Sequence, residues 1–232
     1  MAELYVFPYQ WILESVTRES VLQILSPDDY EKYTRFRFIE DKNRFLAARV
    51  FLFAWCKKEH LLRDTFLSLD YSPLGKPSLN TEIEFNWSHS GELIALYIGD
   101  EVCGIDVEWI HEHTHLDYAS LCSPLEKAWL EEQCLRSGVP EKEWFFSLWT
   151  AKESVLKAQG LGLSKDPRHT EIKHEDRNPT KWICGTNKLM YGTSNFLSYN
   201  DQNYYLSWCS PKKNTLKPIF DMYITKHFSI YI

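Results

Sequence analysis

The sequence predicts an α+β protein, because helical and strand-like segments fall in separate stretches of the chain. Helical patterns dominate residues 26–60 and 123–159, and short runs of β-branched and aromatic residues follow each stretch. Apolar residues make up 44% of the 232 residues and aromatic residues 15%, which is typical of a globular chain with a substantial core. The repeated order predicts two halves of similar size that meet around residues 105–115.

Two helices and a set of strands are predicted in the first half. Ser26-Pro27-Asp28-Asp29 combines an N-cap, a proline at the first helical position and acidic residues in the first turn. A longer helix is predicted over about residues 40–60. Residues 93–98 and 102–108 flank a Gly99-Asp100-Glu101 turn, which predicts a β-hairpin.

The second half repeats this order. Ser123-Pro124-Leu125-Glu126 begins a helix that ends near Gly138, and another helix is predicted over about residues 141–159, ending at Gly160. Residues 181–184, 204–209 and 219–225 are aromatic runs that predict strands.

Charge and cysteine content restrict the functional class and the compartment. The net charge of −6 disfavours a nucleic-acid binder that contacts phosphates over a broad surface, although a small polyanion needs only a local group of cations. Six scattered cysteines without a C-x-x-C pair fit a reducing compartment rather than a zinc ribbon. With no signal-like N-terminus and no apolar run of about 18 residues, we expect a soluble, cytoplasmic protein with no membrane partner.

Candidate metal ligands lie in Gly104-Ile105-Asp106-Val107-Glu108. Side chains two residues apart on a strand project from the same face, so Asp106 and Glu108 are predicted to lie side by side. The wet side of a half-buried edge strand explains two acids equally well.

A helical face in Trp149-Thr150-Ala151-Lys152-Glu153-Ser154-Val155-Leu156-Lys157 adds to this pattern. Trp149, Glu153 and Lys157 are spaced i, i+4, i+8 and share one face. Alone, Glu153 and Lys157 form an ordinary surface pair. Combined with Asp106 and Glu108, they suit a magnesium ion holding a phosphate ester or anhydride, because Mg²⁺ prefers oxygen ligands.

Other segments offer further contacts. Asn86-Trp87-Ser88-His89-Ser90-Gly91 combines hydroxyls and an imidazole suited to phosphate oxygens, or is an ordinary turn that ends a strand. Gly75-Lys76-Pro77 places a lysine in a stiff loop, and Arg44 lies in the long helix. Glu126 fits a capping box better than a site role. The polar run His111-Glu112-His113-Thr114-His115 lacks metal-ligand spacing and is interpreted as a solvated loop.

Taken in order, these segments resemble the Sfp-type 4′-phosphopantetheinyl transferases over about residues 32–164. The most specific feature is the G-I-D-V-E and W-T-A-K-E-S-V-L-K pair, with 46 residues from Asp106 to Lys152. The resemblance also rests on segments elsewhere in that range: Arg44, Gly75-Lys76-Pro77, Asn86-Trp87-Ser88-His89-Ser90, Glu126 and Gly160-Leu161-Gly162-Leu163-Ser164.

The resemblance implies a reaction and a fold. A serine of an apo acyl or peptidyl carrier protein attacks the β-phosphorus of coenzyme A, and 3′,5′-ADP leaves. The fold implied is a monomer of two pseudo-symmetric α+β halves with the active site in the cleft between them. In this chain the halves correspond to residues 1–108 and 109–232. No nucleic acid is implied as a partner.

The resemblance also implies roles for individual residues. Asp106, Glu108 and Glu153 hold Mg²⁺, with Mn²⁺ as an alternative, and Glu153 is the candidate base, with Glu108 or a relayed water left open. Lys152 and Lys157 contact phosphates or offset their charge, which makes them catalytic candidates with Glu153. The nucleotide end of coenzyme A, with its 3′-phosphate, is held by four residues: Arg44, Lys76, Ser88 and His89.

Departures from the family pattern and rival functions accompany these expectations. Trp87 is bulkier than the aliphatic residue expected there. Lys32 and Arg35 lie where the family has further cationic residues for the 3′-phosphate, but their spacing matches the family pattern only loosely. The main alternative is a non-catalytic module that binds coenzyme A or a carrier protein. A magnesium-dependent phosphohydrolase or nuclease is the third possibility.

Overall fold

The computed structural model describes residues 2–62, 64–111, 118–175, 178–185, 189–212 and 219. Its elements in the first half are β1 (Glu3–Pro8), α1 (Tyr9–Leu13), α2 (Arg18–Gln23), α3 (Pro27–Arg35), α4 (Ile39–Lys58), β2 (Asp70–Tyr71), β3 (Pro77–Ser78), β4 (Glu84–Ser90) and β5 (Leu93–Gly99). Those that follow are β6 (Gly104–Trp109), α5 (Tyr118–Leu121), α6 (Pro124–Ser137), α7 (Glu141–Gln159), two 3₁₀ turns (Gly162–Ser164 and Pro167–His169), β7 (Ile172–Glu175), β8 (Asn178–Cys184), β9 (Met190–Tyr199) and β10 (Gln202–Ser210).

The strands form separate antiparallel sheets, which confirms the α+β prediction. One sheet has the order β1-β5-β4, a larger one has the order β6-β10-β9-β8-β7, and β2 pairs with β3. Helix α4 buries most of its length against the first sheet. Helix α7 packs on the second sheet, mainly against β6 and β10. Each half therefore consists of a long helix on an antiparallel sheet.

The predicted hairpin of residues 93–98 and 102–108 is wrong. β5 pairs with β1 and β4, whereas β6 pairs with β10 in the other sheet. All seven residues of β5 are buried, because it is the central strand of its sheet. The hairpin of this region is β4–β5, with Gly91 in its turn at φ +53°.

Several local predictions are confirmed. Ser26 caps α3 with Pro27 in the first turn, and Gly138 and Gly160 end α6 and α7 in the left-handed conformation. The strands predicted at 181–184 and 204–209 are present in β8 and β10. Of the strand predicted at 219–225, Ile219 pairs in parallel with Tyr5 of β1, and the rest lies outside the described residues.

Gly104 lets α7 approach β6 closely. A Cβ atom on this residue would lie 1.8 Å from the backbone oxygen of Ser154 in α7. No larger residue fits that contact without moving the helix. The helix and the strand that carry the candidate acids are therefore held backbone to backbone.

The two large sheets meet where β4 runs beside β6, and side chains replace the backbone ladder there. Asn86 Oδ1 accepts a hydrogen bond from Ile105 N at 2.9 Å, Ser88 Oγ donates to Asp106 Oδ1 at 2.8 Å, and Ser90 Oγ donates to Glu108 Oε2 at 3.0 Å. We call this junction the seam. Apolar residues from both sheets form one shared core cluster around it, including Val6, Ala95, Ile105, Val107 and Leu206.

The sheet pairing bears on where the halves divide. β6 belongs by its hydrogen bonds to the second sheet, so a division between β5 and β6 matches the sheets better than one after residue 108. Within the described segments, none of the helices combines the length and apolar content that crossing a bilayer requires.

Candidate active site

A cavity of about 290 Å³ opens between the seam and α7. Its walls come from β4, β6 and one face of α7, and the lining residues are Trp87, Ser88, His89, Asp106, Glu108, Trp149, Glu153 and Lys157. The structure thus brings together the two acids of β6 and the Trp149–Glu153–Lys157 face of α7.

Asp106 and Lys157 form the centre of this cavity. Lys157 Nζ lies 2.5 Å from Asp106 Oδ1 and donates to Ser88 Oγ at 2.8 Å. Asp106 is 2% exposed, and its Oδ2 atom is buried with no hydrogen-bond partner among the described residues. A buried carboxylate oxygen without a partner is costly, which makes this atom a candidate ligand for a cation.

Glu108 and Glu153 add two more carboxyl groups. Burial, followed by repulsion from Asp106, raises the pKa of each to about 7. Glu153 Oε1 is buried and, in the part of the chain described, has no hydrogen-bond partner. The cavity therefore concentrates acidic groups that a positive charge would stabilise.

This donor set fits a hard divalent cation such as Mg²⁺. Carboxylate oxygens are the ligands that such ions prefer, and two of the available oxygens, Asp106 Oδ2 and Glu153 Oε1, are buried and unpartnered in the described structure. As arranged here, no three described His, Cys, Asp or Glu side chains form a ready metal cluster. Lys157 supplies the positive charge beside Asp106 instead.

His89 and Arg44 lie on the side of the cavity near the β4–β5 turn. Burial, with Arg44 and Lys157 nearby, lowers the pKa of His89, so its imidazole is neutral at pH 7. Arg44 donates to Gly91 O at 2.9 Å and pairs with Asp41 at 2.6 Å. Arg44 thus holds the turn, and its guanidinium lies near His89 without lining the described cavity.

Lys76 lies beside a second cavity of about 180 Å³. Its Nζ donates to Ala158 O at 3.0 Å, at the C-terminal end of α7, and lies 3.8 Å from Glu84. A cation there satisfies a helix-end carbonyl and complements the helix dipole. The lining residues of this cavity are Leu74, Gly75, Lys76, Pro77, Asn86, Trp87, Lys157, Gly160 and Gly162.

A third cavity of about 220 Å³ adjoins the other two through Trp87 and contains Lys32, Arg49 and Tyr71. Arg49 is 4% exposed, forms an ion pair with Asp29 at 2.9 Å and donates to Tyr71 Oη at 3.2 Å. No role for Arg49 was predicted from the sequence. Its position on an otherwise apolar face of α4 was the feature that could have indicated a buried, paired arginine. Arg35 instead forms an exposed ion pair with Glu31.

Neither Lys152 nor Glu126 lines the cavity of about 290 Å³. Lys152 is 1% exposed, and its Nζ is 2.7 Å from Glu126 Oε2. Glu126 completes the capping box of α6 with Ser123, as predicted. The structure therefore does not bring Lys152 into the cavity that contains Asp106, Glu108 and Glu153. Of the histidine-rich run at 111–115, residues 112–115 lie outside the described residues.

Comparison with known proteins agrees with this arrangement. A family model for the 4′-phosphopantetheinyl transferase superfamily matches residues 102–209, and a model for the N-terminal part of 4′-phosphopantetheinyl transferases matches residues 10–98. The changeover between them falls between β5 and β6.

Individual relatives carry the same name. The chain is 28% identical over 177 residues to a 4′-phosphopantetheinyl transferase of Bacillus subtilis, covering 71% of this chain and 77% of the relative. It is 27% identical over 154 residues to the transferase Sfp of Bacillus subtilis strain 168, covering 66% and 67%. With the transferase HetI of a Nostoc species it shares 31% identity over 167 residues, covering 67% and 69%. The chain belongs to the Sfp-type 4′-phosphopantetheinyl transferase family.

Proposed function

We propose that the protein transfers the 4′-phosphopantetheine group of coenzyme A to a serine of an apo acyl or peptidyl carrier protein. The observation that carries this proposal is the meeting of Asp106, Glu108, Glu153 and Lys157 in one cavity. Three carboxyl groups and one ammonium suit a magnesium ion together with the pyrophosphate of coenzyme A. Mn²⁺ is the alternative metal.

The chain's own residues divide the work between binding and proton transfer. When bound, the metal ion would supply charge stabilisation to the pyrophosphate. Lys157 lies between Ser88 and Asp106 and is placed to contact a phosphate oxygen. The neutral imidazole of His89 can donate one hydrogen bond to the nucleotide end.

Atoms balance in the proposed reaction without a further reactant. The serine oxygen forms a bond to the β-phosphorus, the bond from that phosphorus to the bridging oxygen breaks, and 3′,5′-ADP carries away the electron pair. The serine proton goes to a base. Glu153 is our candidate, because it lines the cavity beside Asp106 and Lys157; a carboxylate bound to Mg²⁺ has its pKa lowered and is a weaker base. Glu108, which lines the same cavity, and a relayed water are the alternatives.

The remaining expectations belong to the same proposal. We assign the nucleotide end to His89, Ser88 and the cavity lined by Lys76, with Arg44 acting through the β4–β5 turn that it holds. We propose two halves as the sequence predicted, residues 1–108 and 109–232, except that β6 (Gly104–Trp109) goes with the second half by its pairing with β10. We also propose that the protein is a cytoplasmic monomer. The negative net charge disfavours nucleic acid as a partner.

Intact-mass measurement of an apo carrier protein tests the proposal. With coenzyme A and Mg²⁺, the carrier should gain one phosphopantetheine group. Asp106→Asn and Glu153→Gln should each lower the rate at least about 100-fold, which is the scale expected when a charge-stabilising group is removed. Glu141→Gln, an exposed acid at the other end of α7, is the matched control and should keep the wild-type rate.

Two other results would contradict the proposal. Binding of coenzyme A with no adduct on a panel of acyl and peptidyl carriers would favour a binding module. Hydrolysis of coenzyme A in the absence of any carrier would favour a phosphohydrolase.

A further inference from the structure

The ammonium group of Lys152 has all of its hydrogen-bonding capacity filled by the protein. It pairs with Glu126 Oε2 at 2.7 Å and donates to Pro167 O at 2.9 Å and Thr170 O at 3.0 Å. An ammonium has three N–H donors, so none is left for a phosphate. The side chain is 1% exposed.

Glu126 is equally occupied on the other side of this ion pair. Its Oε2 atom also accepts from Ser123 N at 2.8 Å, and its Oε1 atom accepts from Ile172 N at 3.0 Å. The carboxylate is 3% exposed. The pair therefore joins four segments: the start of α6, the middle of α7, the 3₁₀ turn Pro167–His169 and the first residue of β7.

The position of this pair in α7 gives it a consequence for the cavity. Lys152 directly precedes Glu153, and Lys157 lies five residues further along the same helix. A displacement of about 1 Å in a reacting group can cost about 100-fold in rate. Lys152 does not line the cavity as Trp149, Glu153 and Lys157 do, so the Lys152–Glu126 pair anchors a different side of α7.

We propose that Lys152 is a positioning residue that fixes α7, and that it does not bind the phosphates of the substrate. This inference rests on the proposed transferase function, which supplies the rate to be measured. It changes the role that the family resemblance implies for Lys152, and it leaves Lys157 as the phosphate-contacting lysine of α7.

The chemistry of a buried ion pair supplies a test that separates the two roles. Removing one partner leaves the other as an uncompensated buried charge, whereas replacing both by neutral groups is often tolerated. Glu126→Gln keeps an oxygen that can accept one of the two backbone N–H bonds. If Lys152 is a positioning residue, Glu126→Gln should therefore partly restore the activity that is lost when Lys152 is replaced. If Lys152 binds phosphate, Glu126→Gln should not restore it.

The experiment compares Lys152→Met, Glu126→Gln/Lys152→Met and Lys157→Met. For each we would measure kcat for transfer, the Kd for coenzyme A by calorimetry and the urea midpoint of unfolding. We expect Lys152→Met to lower kcat about 100-fold with Kd within threefold of wild type. The double variant should regain at least tenfold in kcat and part of the midpoint. Lys157→Met should raise Kd at least tenfold. The control Lys127→Met makes the same charge change next to Glu126. It should leave kcat, Kd and the urea midpoint unchanged.

Two results would overturn the inference. One is a tenfold or larger rise in Kd for Lys152→Met that persists in the double variant. The other is a double variant with kcat as low as Lys152→Met alone. If Lys152→Met fails to fold, the folded double variant decides, with a wild-type-like Kd supporting positioning and a tenfold weaker Kd refuting it. Wild-type protein with no transfer would instead refute the transferase proposal, and the Kd and midpoint comparison would still decide the role of Lys152.

Discussion

Lys157 shows how much one side chain contributes to this cavity. Its ammonium contacts Asp106 of β6 and Ser88 of β4, and so links α7 to both strands of the seam. Glu153, one helical turn earlier, has one buried carboxylate oxygen without a partner in the described chain. Some carboxylate oxygens of the cavity, such as Asp106 Oδ1, are thus already stabilised by the protein. Others, such as Glu153 Oε1, would be stabilised by a bound cation.

The raised pKa values of Glu108 and Glu153 predict a pH effect on stability. An unperturbed glutamate has a pKa near 4.5, and these two have values of about 7 in the folded protein. The folded protein thus binds more protons between these values, and each group lowers the free energy of unfolding as pH rises, by up to about 1.4 kcal/mol per pH unit. His89 and His174, whose pKa values are lowered, act in the opposite direction.

Comparison with Glu153→Gln isolates the carboxylate contribution. In urea unfolding with chelator present, the variant should gain stability relative to wild type as the pH is raised from 5 to 7.5. Added Mg²⁺ should stabilise wild type at pH 7.5 and reduce the difference, because a ligand that binds only the folded state stabilises it. A difference that does not change with pH would show that Glu153 titrates normally.

Periodicity within one element predicted much of the site, but not its neighbours. Strand alternation placed Asp106 and Glu108 on one side, and helical spacing placed Glu153 and Lys157 together, as the cavity lining has them. Helical spacing could not predict the buried ion pair of Lys152, because its partner Glu126 belongs to another helix, α6. Which groups satisfy a buried charge depends on tertiary packing rather than on local pattern.

At the scale of elements, the pairing of β6 shows why sequence failed. A Gly99-Asp100-Glu101 turn between two apolar runs is a good local hairpin signal. The partner that β6 takes, β10, lies about a hundred residues further along the chain. Local turn chemistry carries no information about a competitor at that separation, so the architecture could be predicted and this pairing could not.

Gly104→Ala should disturb the contact between α7 and β6. The added Cβ would overlap the Ser154 carbonyl oxygen, and backbone atoms there cannot rotate away. We expect a loss of at least about 2 kcal/mol in the free energy of unfolding, since overpacking typically costs about 1–3 kcal/mol. Transfer activity should fall with it.

The matched control is Gly99→Ala at the end of β5. There the nearest atoms to an added Cβ are a Tyr97 ring carbon at 3.3 Å and the Ala2 side chain at 3.5 Å, so only a small shift of the ring is needed and the loss should be much smaller than for Gly104→Ala. Denaturant unfolding of both variants gives the comparison. Equal stabilities would mean that α7 does not need the close approach.

At the scale of the whole molecule, the two sheets behave as one folding unit. The shared core cluster contains residues of β1, β5, β6 and β10, so neither half has a core of its own on that side. We therefore expect one unfolding transition, seen equally by probes in either half. Two separate transitions would contradict this.

Asn86→Ala tests the seam directly. The side chain is 4% exposed, and its loss would leave the buried Ile105 N–H without an acceptor, which costs about 1–3 kcal/mol. Urea unfolding should show that loss with the slope of the transition unchanged. Asn80→Ala, an exposed asparagine in a bend, should be neutral. A neutral Asn86→Ala would show that the seam does not depend on this bond.

The seam also explains why there is space for a substrate. Strands joined by a backbone ladder lie about 4.8 Å apart, with their facing edges consumed by hydrogen bonds. Had β4 and β6 joined in that way, the two sheets would have closed into one continuous surface. Because Asn86, Ser88 and Ser90 act as spacers between them, the width of the gap is set by side-chain length. Exchanging a spacer for a longer or shorter residue would resize the gap without altering the topology.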